Sequence, residues 1–390
     1  MIWIGFAASL AAALVISRKN LALGLIVGSA VLGLFTLPVE VLLRAVADTL
    51  TDPSILMITA AMGIIPLLGG TMKESGQVES LVNNLRIKQR HLMTLSAAIM
   101  GLLPMPGGAL LSAPILDKGG VGVENVRKSA INNWFRHIFL LVYPLCPALI
   151  VSAKITGLDV YHAIMYLLPV FVLAVILGYY FFLRHVNGQM VYHDRFSLSG
   201  LTIPLAIVMC APVLDFSLKR LFGLGAAATL MGVCTAIALS IFVSRQKLDI
   251  RRIITQTKPW FFSSIIIGMF LYLRVFEQSD AGRAIASLPL PPVVTATAGG
   301  FVLAFVTGGV QLPASIVFPV YLTAVGEVTP IMFALIYATT YFGYNISPIH
   351  PCLVVTCEYF RVPVRTVIMR SLTPTLIILV VIAVVTLLVT

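Results

Sequence analysis

PLCPALIVS occupies residues 144–152 and PIHPCLVVT residues 348–356, and the two superpose without a gap when the chain is shifted by 204 residues. Pro144 and Pro147 fall on Pro348 and Pro351, and Leu149 and Val151 fall on Leu353 and Val355. The same shift lays KESGQVESL (73–81) over EQSDAGRAI (277–285). A constant offset over about 80 residues marks an internal duplication. In each copy the prolines interrupt a long apolar segment. A helix interior cannot keep its hydrogen bonds through Pro-x-x-Pro. Carbonyls and amides freed in hydrocarbon cost several kcal/mol each, so they must face protein, water or ligand. One such break reads equally well as a plain proline kink. Paired breaks at matching positions of two halves mark a transporter binding site.

Outward from these breaks the chain divides into twelve apolar segments, at 2–17, 21–37, 53–72, 92–116, 131–154, 160–183, 200–218, 221–243, 259–276, 293–323, 330–357 and 372–389. Six fall in each half, which gives two repeats, 1–190 and 191–390. The fourth segment of each half is also interrupted, by PMPGG at 104–108 and TGGVQLP at 307–313. Between the second and third lies VEVLLRAVADTL (39–50), whose Val39, Leu42, Leu43, Val46 and Leu50 share one helical face. That pattern predicts a short interfacial helix.

Composition agrees. Of 390 residues, 59% are hydrophobic and only 11% charged, with a mean hydropathy of +1.01. A soluble domain carries about 25% charged residues, so this chain cannot cover a globular surface with polar groups. A cytosolic enzyme, a disulfide scaffold and a disordered protein are all excluded. The net charge of +11 is read as membrane topology and not as a nucleic-acid surface. The lipid bilayer and a small-molecule solute are the expected partners. Cys146, Cys210, Cys234, Cys352 and Cys357 lie in apolar stretches without a C-x-x-C pair, so buried thiols are expected, with no disulfide and no metal set. Met1-Ile2-Trp3 lacks the basic start of a cleaved signal. The N-I-S sequon at 345–347 sits inside an apolar segment, which argues against glycosylation.

Lysine and arginine decide whether 92–116 and 293–323 cross the bilayer. If both are re-entrant hairpins, nineteen Lys and Arg lie on one side and six on the other. If all twelve segments cross, the split is fourteen to eleven. The positive-inside rule selects the hairpins. Each half then has five crossings, so the halves are inverted, about ten helices cross in total, and both termini are extracytoplasmic. The first hairpin enters from the cytoplasm and the second from outside. The membrane expected is the inner (plasma) membrane of a prokaryote.

GGTMKESG (69–76), GLLPMPGGALLSAP (101–114), INNWFRH (131–137) and NISPIHPCLVVTCEYF (345–360) resemble the integral membrane proteins grouped as domain of unknown function 401. The resemblance covers nearly the whole chain, and GLLPMPGGALLSAP carries most of its specificity. That group is placed in the ion transporter superfamily, beside divalent anion:sodium symporters, arsenite permeases, gluconate permeases and sodium/proton antiporters of related fold. The resemblance implies inverted repeats with one hairpin and one broken helix each, a homodimer and an elevator motion. It implies no particular substrate. The sodium-coupled symporters carry Ser-Asn-Thr at both hairpin tips, whereas these tips read Met105-Pro106-Gly107-Gly108 and Gly308-Gly309-Val310-Gln311. Sodium coupling through side-chain oxygens is therefore in doubt at the first tip, although backbone carbonyls remain.

The candidate site residues follow from the breaks. Gly107, Gly108, Gly308 and Gly309 allow close backbone approach, and amides there and at half-helix N-termini attract anions. Close helix packing by small residues explains them equally. Thr307, Gln311, Asn345 and Ser347 supply further solute contacts. Arg136, in AINNWFRHIF, either clamps a carboxylate or snorkels to the surface. His350 is a candidate proton carrier, with Asn345 and Ser315 as ion contacts. The uninterrupted spans are expected to form a scaffold and the dimer contact. The reading is a secondary active transporter for a small carboxylate-like anion, without a cofactor and coupled to H+ or Na+. A cation/proton antiporter on the same fold is the alternative, but no Asp or Glu falls near the middle of a span. A channel is a second alternative. An enzyme is not expected, since paired central aspartates, H-E-x-x-H and a Ser/His dyad are all missing. A primary pump would need G-x-x-x-x-G-K-[ST], which is absent.

Overall fold

The computed structural model of the chain describes residues 2–103, 108–188, 195–244, 246–287 and 289–389. Among them all regular structure is helical. The chain runs through α1 (Ile2–Ser17), α2 (Leu21–Thr36), α3 (Val39–Thr51), α4 (Pro53–Glu74) and α5 (Gln77–Asn83). It continues through α6 (Gln89–Leu102), α7 (Ala109–Gly119), α8 (Asn125–His137), a 3-10 turn (Ile138–Leu141), α9 (Pro147–Ile155) and α10 (Val160–Gly178), which ends in a π turn (Tyr179–Leu183). The second half holds α11 (Leu198–Phe222), α12 (Gly225–Val243), α13 (Ile250–Thr257), α14 (Pro259–Gln278) and α15 (Ala281–Ala286). It closes with α16 (Pro292–Thr307), α17 (Gln311–Val325), α18 (Pro330–Asn345), α19 (Pro351–Phe360) and α20 (Val364–Val389).

Local chemistry sets the helix starts. The side chains of Asn20, Asp52 and Asp159 accept from the first-turn amides of α2, α4 and α10. Pro53, Pro147, Pro259, Pro292, Pro330 and Pro351 open their helices, where a missing N–H leaves nothing unsatisfied. Among the described residues, six stretches are long and apolar enough to cross a membrane: Pro53–Glu74, Val160–Leu183, Leu198–Phe222, Gly225–Val243, Ile250–Gln278 and Val364–Val389. Phe242 and Leu388 are 88% and 81% exposed, as side chains in contact with lipid would be. On α3, Val39, Leu43 and Leu50 are likewise exposed.

The two interrupted fourth segments fold back on themselves. The Gln89 side chain donates to the Val121 carbonyl at 2.9 Å, so the two ends of the α6–α7 unit meet. At 1.5 Å per residue α6 and α7 reach only about 21 and 16 Å, well short of a ~30 Å hydrocarbon core. Helices α16 and α17 pack on one another, with Val317 against Gly299 and Gly300.

Packing sorts the helices into two groups. In one, α1 packs on α2, α2 on α14, α4 on α12 and α14, and α11 on α12. In the other, α8 packs on α6, α7 and α19, α9 on α17, and α16 on α18. The sequence reading expected the uninterrupted spans to form a scaffold apart from the hairpins and broken helices. Instead α10 packs on α18, and α20 packs on α8 and α18. Tertiary contacts account for α10: the Trp134 indole donates to the Ala174 carbonyl at 3.0 Å and its ring meets Phe182, which ties α10 to α8.

Two further expectations change. Cys234 is exposed and Cys210 and Cys352 are half-buried, because apolar helices that face lipid do not bury every side chain. Asp215 is fully buried in α11, which runs four residues past the apolar segment read from sequence. Its carboxylate accepts from the hydroxyls of Tyr161 and Thr229 and pairs with Lys219 at 2.9 Å. The group is fully partnered and fastens α11 to α10 and α12.

Candidate functional site

The two helix breaks touch. In the first, α8 ends at His137 and α9 begins at Pro147; in the second, α18 ends at Asn345 and α19 begins at Pro351. The Asn133 amide donates to the Asn345 carbonyl at 3.0 Å, and the Asn132 amide donates to the Thr356 hydroxyl at 2.9 Å. The rings of His137 and His350 lie 4.5 Å apart, and Tyr344 lies 4.1 Å from His350. The Asn345 amide reaches the Tyr341 hydroxyl at 3.4 Å.

The first hairpin reaches this junction through Arg136. Its guanidinium donates to the Gly108 carbonyl at 2.8 Å and to the Ser112 hydroxyl at 3.4 Å. Arg136 is 5% exposed, so it points inward and does not snorkel. Its Nε has no partner, and no carboxylate lies within 4.0 Å of it among the described residues. Gly108 sits in ordinary right-handed backbone, and a Cβ there would lie 2.1 Å from Arg136 Nη2, so the glycine makes room for the guanidinium. Gly107 lies outside the described residues.

The second hairpin reaches the junction through Gly308. Its φ of +63° is a left-handed conformation that ends α16, and its Cα faces the Ile349 carbonyl inside the second break. The Ser347 hydroxyl donates to the Phe305 carbonyl at 2.6 Å, which docks the break onto α16 and engages that hydroxyl. Thr307 donates to the Gly309 carbonyl at 3.4 Å, and half-buried Gln311 opens α17 beside Gly309. Ser315 is fully buried and bonds the Leu312 carbonyl of its own helix. The structure thus brings Arg136, Asn345, His350, Gly108 and Gly308 to one junction. Thr307, Gly309 and Gln311 line the adjoining tip, and Ser315 and Ser347 are held by backbone acceptors.

Several members of the junction escaped the sequence reading. Tyr341 and Tyr344 fall outside the quoted motifs, and Ser112, although inside GLLPMPGGALLSAP, shows nothing in sequence that links it to Arg136. Asn133 and His137 stand beside Arg136 in sequence, but their partners lie more than 200 residues away. His350 is fully buried, and neither ring nitrogen has a hydrogen-bond partner. The Asn345 backbone is near it without meeting hydrogen-bond geometry. His137, His350 and Cys352 each present a ligand atom within 4.8 Å of the other two. A separate apolar pocket of about 450 Å³ opens among α10, α18 and α20, lined by Met165, Tyr166, Pro169, Ile331, Ile378 and Val381. It carries no polar group suited to a charged solute, so the polar junction is the candidate site.

Buried cationic and amide groups where two hairpins and two broken helices meet, inside an apolar shell, define an all-helical membrane protein with an internal polar site. The chain belongs to the family described as protein of unknown function (DUF401), whose profile matches residues 6–389. Among solved structures it is similar to the YdaH transporter of Alcanivorax borkumensis, described as having an unusual topology. The TM-score is 0.58 and the identity 15%, over 93% of this chain and 95% of that one, so the likeness is one of fold. No curated protein matches.

Proposed function

We propose that this protein is a secondary active transporter that moves a small carboxylate-like anion. One observation carries the reading: Arg136 is a buried cation without a counter-ion at the junction of a hairpin tip and a helix break. A desolvated charge without a partner is strongly destabilising, and an anionic solute relieves it. The N-termini of α7, α9, α17 and α19 all begin at the tips or breaks, so their dipoles add to the attraction. The fold shared with a transporter agrees with this role.

The two-repeat reading draws support from the element ranges. Shifted by 204, α6 (Gln89–Leu102) and α9 (Pro147–Ile155) fall within one residue of α16 and α19 at each end, and α10 (Val160–Gly178) starts where α20 starts. The inverted topology, with extracytoplasmic termini and re-entrant hairpins, draws support from the ion pairs. Arg252–Glu74, Arg370–Glu124 and Lys128–Asp117 join residues assigned to the cytoplasm, and Arg274–Asp52 and Arg220–Asp159 join residues assigned outside. In the elevator reading the group around α8 and α18 carries the solute past the group around α4 and α14, within a homodimer of the ion transporter superfamily type. The coupling ion is H+ or Na+, and His350 is the side chain left free to carry a proton.

The test is a thermal-shift screen of the purified protein against carboxylates, sugar acids, oxyanions and amino acids, with and without sodium. A ligand that binds only the folded state raises its stability. Counterflow in proteoliposomes then separates exchange from conduction. If no anion stabilises the wild type more than it stabilises Arg136→Gln, the reading fails.

A further inference from the structure

The geometry points to a transition-metal site, able to hold Zn2+, made by His137, His350 and Cys352 where the two helix breaks meet. It goes beyond the transport reading and does not depend on it, and with metal bound His350 no longer serves as the proton carrier. Three observations converge. One ligand atom from each residue lies within 4.8 Å of the other two. Zn–N and Zn–S bonds of about 2.1 and 2.3 Å in tetrahedral geometry set donors about 3.3–3.6 Å apart, so rotamer adjustments of about 1 Å close the set. His350 is fully buried with both ring nitrogens unpartnered, which leaves a polar ring at a cost that a metal bond to one nitrogen reduces. His137 is already oriented as a ligand: its Nδ1 lies 2.9 Å from the Asn133 carbonyl. A carbonyl only accepts, so Nδ1 carries the proton and Nε2 presents its lone pair. That outer hydrogen bond is the usual support of a metal-bound histidine.

The donor set narrows the choice of metal. Two imidazoles and one thiolate suit a borderline-soft cation and exclude Mg2+ and Ca2+, which need oxygen ligands. The thiolate offsets part of the charge that Zn2+ brings near Arg136. Three protein ligands leave a fourth position for water, as in open zinc sites. Half-buried Cys352 supplies the entry side. The site is single: a shift of 204 puts Cys146 opposite His350 and Ala148 opposite Cys352, so the first break cannot repeat it. Because His137 closes α8 while His350 and Cys352 open α19, bound metal pins the two broken helices together.

Metal-stripped, full-length protein carrying no histidine tag is titrated anaerobically with Co2+ as a spectroscopic probe, then with Zn2+. The expected result is one Co2+ per chain, with a thiolate-to-cobalt charge-transfer band that Zn2+ abolishes. Cys352→Ser should remove that band, and both Cys352→Ser and His350→Gln should weaken Zn2+ binding at least tenfold, the scale seen even for loss of an outer-shell partner. Cys146→Ser, as the control, should leave the band unchanged. Cys352→Ser is nearly isosteric, so it remains informative if His350→Gln fails to fold. Absence of the band in the wild type, its persistence in Cys352→Ser, or equal Zn2+ affinity in the wild type and Cys352→Ser overturns the site.

Discussion

Replacing Gly108 by alanine separates the guanidinium's position from the integrity of the fold. The new Cβ would stand 2.1 Å from Arg136 Nη2 and 3.0 Å from its Cζ, whereas ordinary contact begins near 3.4 Å. Gly108 has φ −57° and ψ −21°, so alanine meets no backbone strain. The obstructing atoms are the far end of a flexible side chain, and Arg136 must retreat by more than an ångström. It then gives up its 2.8 Å bond to the Gly108 carbonyl. A hydrogen bond to a charged group contributes about 1.5–3 kcal/mol. Lower entropy of the unfolded chain returns about 0.4–1 kcal/mol. Net destabilisation should therefore stay near 1–2 kcal/mol. The loss falls on the anion instead: a guanidinium out of register forfeits about 1.5–3 kcal/mol, roughly 10- to 150-fold in Kd. Gly101→Ala is the contrast. Its Cβ would lie 1.6 Å from the Arg136 carbonyl oxygen, backbone against backbone, so α6 and α8 must separate and expression should collapse. The assay pairs melting temperature with anion-induced thermal shift and counterflow for both variants. Wild-type anion affinity in Gly108→Ala, or unfolding as severe as that of Gly101→Ala, would refute the reasoning.

Arg136→Gln should leave the ligand-free protein as stable as the wild type or more so, since it removes a buried charge without a counter-ion, and should abolish the anion-induced shift; a large fall in melting temperature without ligand contradicts this. Asn345→Ala removes a side chain that touches Tyr341 while the backbone carbonyl bonded to Asn133 remains, so solute affinity should fall more than stability; equal losses would make Asn345 a packing residue only. Gly309→Trp should stop uptake with near-normal expression, because a Cβ there meets only the Gln311 side chain, at 3.7 Å; normal uptake counts against a solute path at that tip. In a cysteine-free background, Glu79→Cys and Arg251→Cys should both react with an impermeant maleimide from the cytoplasm only. Labelling of residue 79 from outside and of residue 251 from inside would rule out the inverted arrangement.

The sequence by itself determined the helical content, the place of every long helix and the positions of the four interruptions. These are consequences of local chemistry. Two prolines three residues apart, as in Pro144-x-x-Pro147 and Pro348-x-x-Pro351, break a helix, so Pro147 and Pro351 begin new ones, whereas single prolines such as Pro66, Pro169 and Pro374 stay inside continuous helices, and the apolar run 372–389 is helical throughout. Even α3 was legible from the single face shared by Val39, Leu42, Leu43, Val46 and Leu50. Arg136 and His350 stood out for the same reason, as polar groups in apolar stretches. Their partners did not. Whether Arg136 reached the surface or the interior depended on a carbonyl 28 residues earlier, and the ring packed against His350 belongs to a histidine 213 residues away. Cys352 looked like any buried thiol until His137 was brought beside it. The assignment of α10 and α20 to the group that holds the broken helices likewise turned on Trp134 and the packing of α20 against α8 and α18. Periodicity and helix breaks are written within a few turns of chain. Charge compensation and metal-ligand sets are formed by contacts between segments far apart in sequence, and only the tertiary structure brings those segments together.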